Sequence, residues 1–280
     1  MNIGVVEKIA NAVLYEGYIL YPYRPSAIKN QHRFNFGVLY PQEYGEAWEM
    51  RTECLIHGSA HSSIEVKVRF LQMAQAHSWQ EGIEREISTP ACTSADQFRQ
   101  RFSFEATEKV EVEVELGARE IEPDLFKVTL VIRNVGALEN TDRNLVLLRS
   151  MVSVHSILHC VGGEFISLLD SPERLKDAVA GCQNAGAFPV LAGDPGQRDM
   201  MLASPIILYD YPEIAAESPG DLCDGLEIDE ILALRILTLT DAEKQEVREG
   251  DDRARRILER TEMLPPEHFQ KLHGALRSVR

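Results

Sequence analysis

The chain has 280 residues, 44% of them hydrophobic, and a formal charge of −15. That length and apolar content allow a buried core in one large domain or two ordinary ones. The negative charge argues against a general nucleic-acid or anionic-membrane binder, because both functions draw on clustered positive charge.

The N-terminal stretch "MNIGVVEKIANAVLYEG" lacks the basic region and clean apolar run of a signal peptide, and charges interrupt every run long enough to span a bilayer. A soluble, cytoplasmic protein is expected. The spacing predicts a helix around Val5 to Tyr15, followed by the aromatic run "YEGYILYPYRP". Pro22 and Pro25 exclude a continuous helix there and push the preceding residues toward extended geometry. The segment also carries Arg24, Lys29, His32 and Arg33 beside Tyr21, Tyr23 and Phe34. Such a mixture suits cation–π contacts and recognition of carboxylates. Either the chain's own acidic run or an external acidic protein surface would satisfy it. "RFNFGVLYP" then reads as a short strand.

From about 48 to 135 the period is two. Ile64, Val66, Val68 and Phe70 alternate with Glu65, Lys67 and Arg69. The same holds for Phe98, Phe102 and Phe104, for Val110, Val112, Val114 and Leu116, and for Phe126, Val128, Leu130 and Ile132, which end at a turn with Asn134 and Gly136. Closely spaced strands without intervening helices predict an antiparallel β-sandwich. Beyond them, "VLLRSMVSVHSILHCVGGEFISLLD" reads as two strands broken at Gly162 and Gly163, and "SPERLKDAVAGC" as a short helix capped by Ser171. "FPVLAGDPG" reads as a loop, and "MLASPIILYDYPEIA" as a strand returning to the sheet.

Residues 213 to 230 hold seven acids and no base. An apolar stripe of Ile228, Ile231, Leu232, Leu234, Leu237 and Leu239 follows, with Arg235 outside it. Thr240 starts the next helix, and "DDRARRILERTEML" is a third. The expected class is therefore α+β: a helix and aromatic-basic arm over 1–47, a β-sandwich core over 48–212, and an acidic linker with C-terminal helices over 213–280. A tail of this length allows packing in cis or across a homodimer.

Candidate chemistry is sparse. No nucleophile elbow, dinucleotide loop or phosphate loop occurs. Cys54, Cys92, Cys160, Cys182 and Cys223 form no CxxC pair and read as reduced core residues. The metal-like features are "HSILHC", with His155, His159 and Cys160, and "HGSAH", with His57 and His61. Residues four apart can share a face, so the two pairs would form a zinc, nickel or iron site only if the fold brings them together, with Cys160 pointing elsewhere. The acids at Asp221, Asp224, Glu227, Asp229 and Glu230 lack calcium-loop spacing and suit a helix start. An apolar ligand pocket leaves no signature of this kind.

Two phrases, "AVLYEGYILYPYRPSAIKNQHRFNFGVLYP" and "ASPIILYDYPEIAAESPGDLCDGLEIDEILALRILTLTDAEK", together about a quarter of the chain, resemble a family of uncharacterised proteins encoded in bacterial [NiFe]-hydrogenase gene clusters. The resemblance carries no catalytic residues. It implies a non-enzymatic cytoplasmic accessory or assembly protein that binds hydrogenase subunits or maturation factors. The contact residues it nominates are Tyr21, Tyr23, Arg24, Lys29, Arg33, Tyr209, Asp210 and Tyr211. The alternative is a metal-dependent enzyme or metal carrier using the histidine pairs.

Overall fold

The computed structural model describes residues 3–15, 23, 24, 26, 27, 30, 36–76, 79–213, 229–250 and 252–263. Two compact units divide the chain, one of Met1–Leu14 with Asn35–Pro212, the other of Tyr15–Phe34 with Glu213–Arg280. The chain is α+β, and its sheet is antiparallel throughout.

In the first unit, the alternating runs form β1 (Glu49–Ala76), β3 (Gln97–Phe104), β4 (Val110–Glu122) and β5 (Leu125–Asn134). They are joined by β2 (Trp79–Ser88), β6 (Met151–Ile166), β7 (Phe188–Leu191) and β8 (Met200–Ser204). All eight strands belong to one hydrogen-bonded sheet in the order β3-β4-β5-β1-β6-β8-β7, with β2 on the remaining flank of β1. The 28 residues of β1 would span roughly 90 Å if straight, longer than a unit of this size is wide. It bends between Gly58 and Ser63, where the register against β6 shifts. Ser62 Oγ holds the bend by donating to Gly162 O at 2.6 Å, and Gly162 takes the left-handed conformation that glycine tolerates, with φ 75°. Before the bend β1 pairs with β5 and, over its last residues Leu55 to Gly58, with the end of β6; beyond it, β6 and β2 flank it.

The bend lets one face close on itself. Cys54, Ile56, Ile64, Val66, Val68 and Phe70 of β1 share a core with the inward residues of β4, β5, β6 and β8. Phe70 meets Phe104 edge to face at 5.3 Å, and Gln72 Nε2 donates to the carbonyls of Phe104 and Glu108. On the other flank, Arg51 exchanges backbone hydrogen bonds with Ala185, just before β7.

Helix α1 (Ile3–Leu14) covers the outer face of β6 and β8. Its Val6, Ile9, Ala10 and Val13, at helical spacing, bury against Ile157, Met200 and Leu202. The helix thus belongs with the sheet. Short helices α2 (Arg143–Leu147) and α3 (Lys176–Ala180) follow. Asp142 caps α2 by accepting from the backbone N–H groups of Asn144 and Leu145. The expected Ser171 cap is replaced by Pro172 at the entry of a 3-10 turn, without a side-chain cap bond.

The second unit contains α4 (Asp229–Leu237), α5 (Asp241–Glu249) and α6 (Asp252–Glu262). Thr240 and Glu243 form a reciprocal capping box at the start of α5. On α4 the buried face is Ala233 and Ile236, continued by Leu239, whereas Leu234 and Leu237 are exposed. Of the leucine-rich stripe expected there, Leu239 is buried, while Ala233 and Ile236 take the inner positions in place of Leu234 and Leu237. No helix among the described residues is long and apolar enough to cross a membrane.

Candidate functional site

The segment following β8 alternates sharply. Ile206 and Leu208 pack beneath α1, while Ile207 and Tyr209 are 92% and 80% exposed. Its backbone is held at both ends. At the near end, Gly37, with φ 55°, lies so close to Pro205 that an added Cβ would stand 2.7 Å from the proline ring, and Ser204 Oγ donates to Ile206 O. At the far end, the Asp210 carboxylate accepts from Ser167 Oγ and from Leu191 N, the latter at 2.8 Å. Tyr211 adopts φ 55°, packs its ring on the core, and donates its hydroxyl to Gln197 O at 2.9 Å. Asp210 and Tyr211 are anchors, and Tyr209 is displayed. Ile207 was not singled out from sequence, although the period-two pattern of "PIILYDYP" carries that signal.

In the second unit, Arg24 lies 3.0 Å from Glu243 and 3.7 Å from Glu246 of α5, and Ser26 N donates to Glu246. The arm's cation is answered internally, by helix α5. Tyr23 is buried, with φ 58°. Tyr21, Lys29 and Arg33 lie outside the described residues, as does the acidic run from 214 to 228. The two quoted phrases meet within each unit, at Gly37 with Pro205 and at Arg24 with Glu243.

The histidines stand apart. His155 and His159 share the outer face of β6, opposite Arg69 and Glu65 of β1. Four residues of strand separate them by roughly 13 Å, whereas two nitrogens on one zinc lie within roughly 4 Å of each other. Sharing a face on a strand is therefore not sharing an ion. Cys160 points into the core, where burial pushes its thiol up to about 11. His57 and His61 are exposed, the first just before the bend of β1 and the second within it. Among the described residues no group of three or more His, Cys, Asp or Glu is gathered for a metal. Four of the cysteines are free thiols, and Cys223 lies outside the described residues.

Two polar features missed from sequence surround these histidines. His159 Nδ1 lies 3.6 Å from Glu65, beside a cavity of about 120 Å³ that Glu7, Lys67, Thr89 and Met200 also line. Lys67 in turn reaches Glu7 at 3.1 Å. Deeper in, His155 is fully buried, its Nδ1 lies 2.9 Å from Ser153 O, and Nε2 has no hydrogen-bond partner among the described residues. A carbonyl only accepts, so Nδ1 carries the proton of the neutral ring. Burial lowers the pKa of His155 to about 4; the Ser153 contact opposes this and the Arg69 charge adds to it. A histidine depressed below its ordinary 6.5 leaves stability complete above that pH and removes it as the pH falls toward about 4. We expect unfolding free energy to drop by about 3 kcal/mol over this window, and the His155→Gln variant to lose that part of the slope. Denaturant titrations at several pH values check this; parallel slopes for the two proteins would refute it.

No protein-family model and no curated protein matched the chain when they were compared with it.

Proposed function

We propose that the protein is a non-enzymatic accessory protein of the cytoplasm that captures a protein partner through the segment Pro205–Pro212. The carrying observation is the pair Ile207 and Tyr209, large apolar side chains left in water on a backbone braced by Pro205, Asp210 and Tyr211. An exposed tyrosine on a preorganised backbone is an economical anchor, because little side-chain or loop freedom remains to be lost on binding. The resemblance to proteins of hydrogenase gene clusters supports a [NiFe]-hydrogenase subunit or maturation factor as the partner. Tyr21, Lys29 and Arg33 form a second contact segment in this reading, while Tyr23 and Arg24 act by holding the arm.

The test is affinity purification from the native host with wild type and the Ile207→Ser/Tyr209→Ser variant, with elemental analysis of both eluates. Wild type is expected to bring down hydrogenase subunits or maturation factors, and the variant to lose at least tenfold of that recovery at an unchanged thermal midpoint. Equal recovery by both proteins refutes the proposed surface. Stoichiometric zinc, nickel or iron without a partner would transfer the reading to the histidines.

A further inference from the structure

The outer face of β3, β4, β5 and the first half of β1 is a lattice of paired charges. Glu113 is held by Arg99 at 2.8 Å, Arg101 at 3.0 Å and Arg133 at 3.3 Å. Arg133 also holds Glu49 and Glu115, and Lys127 reaches Glu53. Within this lattice, Gly117 of β4 stands between Gln97 of β3 and Thr129 of β5. A Cβ added at Gly117 would meet nothing within 4 Å. The missing side chain leaves a hollow of about 290 Å³, walled by Gln97, Arg99, Glu115, Arg119, Lys127 and Thr129.

Three of those walls are cations. The one acid, Glu115, is already bound by Arg133 at 2.8 Å. The Arg119 guanidinium makes no hydrogen bond or ion pair among the described residues, and Arg119 is the register partner of Lys127. Like charges directly opposite each other on neighbouring strands destabilise a sheet, and an anion seated between them reverses that sign. Arg99 keeps donors beyond its single carboxylate partner, Lys127, held by Glu53 and by Gly181 O, keeps one of its three, and the Thr129 hydroxyl and Gln97 amide supply neutral donors at the rim. The volume falls near the lower end of small-ligand sites, too small for a folded partner.

We propose that the hollow over Gly117 binds a small oxyanion ligand carrying carboxylate or phosphate groups, with Arg119 as its principal contact and Arg99 and Lys127 flanking it. This assignment is independent of the partner surface at Ile207 and Tyr209. A chain of net charge −15 has reason to concentrate cations at such a point, since long-range repulsion otherwise keeps small anions away.

The experiment is isothermal titration of the full chain with citrate and, separately, inorganic phosphate, against sodium chloride at matched ionic strength. Proteins compared are wild type, Arg119→Gln and Gly117→Val. Valine suits an extended strand and enters open space, so Gly117→Val fills the hollow without unfolding the sheet. Saturable binding of one probe by wild type is expected, weakened tenfold or more by Arg119→Gln and lost in Gly117→Val, with thermal midpoints of the variants no lower than wild type. Stronger binding of citrate identifies a carboxylate site, and stronger binding of phosphate a phosphate site. No saturable binding of either by wild type, or binding untouched by both variants, overturns the proposal.

Discussion

Phe70→Ala is expected to destabilise the sheet unit by about 3–5 kcal/mol, the usual range for emptying a buried aromatic site. Phe70 is fully buried beyond the bend of β1, and its ring meets Phe104 of β3 at 84°. That contact ties the far end of β1 to the opposite edge of the same sheet, so the side chain fills the place where the folded-over face closes. Native domains are stable by only about 5–15 kcal/mol, which leaves this variant marginal. Urea denaturation measures the loss. A double-mutant cycle with Phe104→Ala should return a coupling of about 0.5–1.5 kcal/mol for the edge-to-face pair. A total loss below about 1 kcal/mol would mean that the core does not close around this ring.

Asn134→Leu is expected to cost about 3 kcal/mol with little change in volume. The Asn134 amide donates to Leu39 O and Arg149 O, both at 2.9 Å, and its carbonyl accepts from Gly136 N at 3.0 Å. One fully buried side chain thereby satisfies three backbone groups from separate segments at the end of β5. Leucine leaves Arg149 O and Gly136 N unpartnered and reduces Leu39 O to its one bond from Met151 N, and each buried orphan costs about 1–3 kcal/mol. Asn134→Asp keeps the acceptor but loses both donations, so it should be no better than leucine. Chemical denaturation distinguishes this role from a simple turn residue, for which aspartate would be tolerated.

The alternating strands were legible because one face of each is buried in a common core. Val110 to Leu116 and Phe126 to Ile132 read directly as β4 and β5. "SWQEGIEREIS" was missed as β2 because Ile83 is exposed and, among the described side chains, only Ile87 is deeply buried, so alternation is faint on a strand paired along one side. "FPVLAGDPG" read as a loop on the strength of its prolines and glycines, yet Phe188–Leu191 is β7. Pro189 is tolerated because β7 ends the path of the sheet. Gly162 and Gly163 look like a break, but they answer the bulge in β1 and β6 runs through them. At the site, strand parity separated His159 from Cys160. The anchoring of Asp210 and Tyr211 and the neutralisation of Arg24 are tertiary facts that local pattern does not carry.

The shared strand β1 also bears on how the protein is made. Its first half needs β5, and its second half needs β6, which is complete only at Ile166. At ordinary synthesis speeds the stretch from Ala76 to Ile166 takes roughly 5–18 s to follow it out of the ribosome. For that interval a nascent chain displays Ile64, Val66, Val68 and Phe70 on a strand whose β6 edge is still unpaired. The intervening charges Glu65, Lys67 and Arg69 are then what stands between the emerging chain and self-association, quite apart from their work in the finished fold.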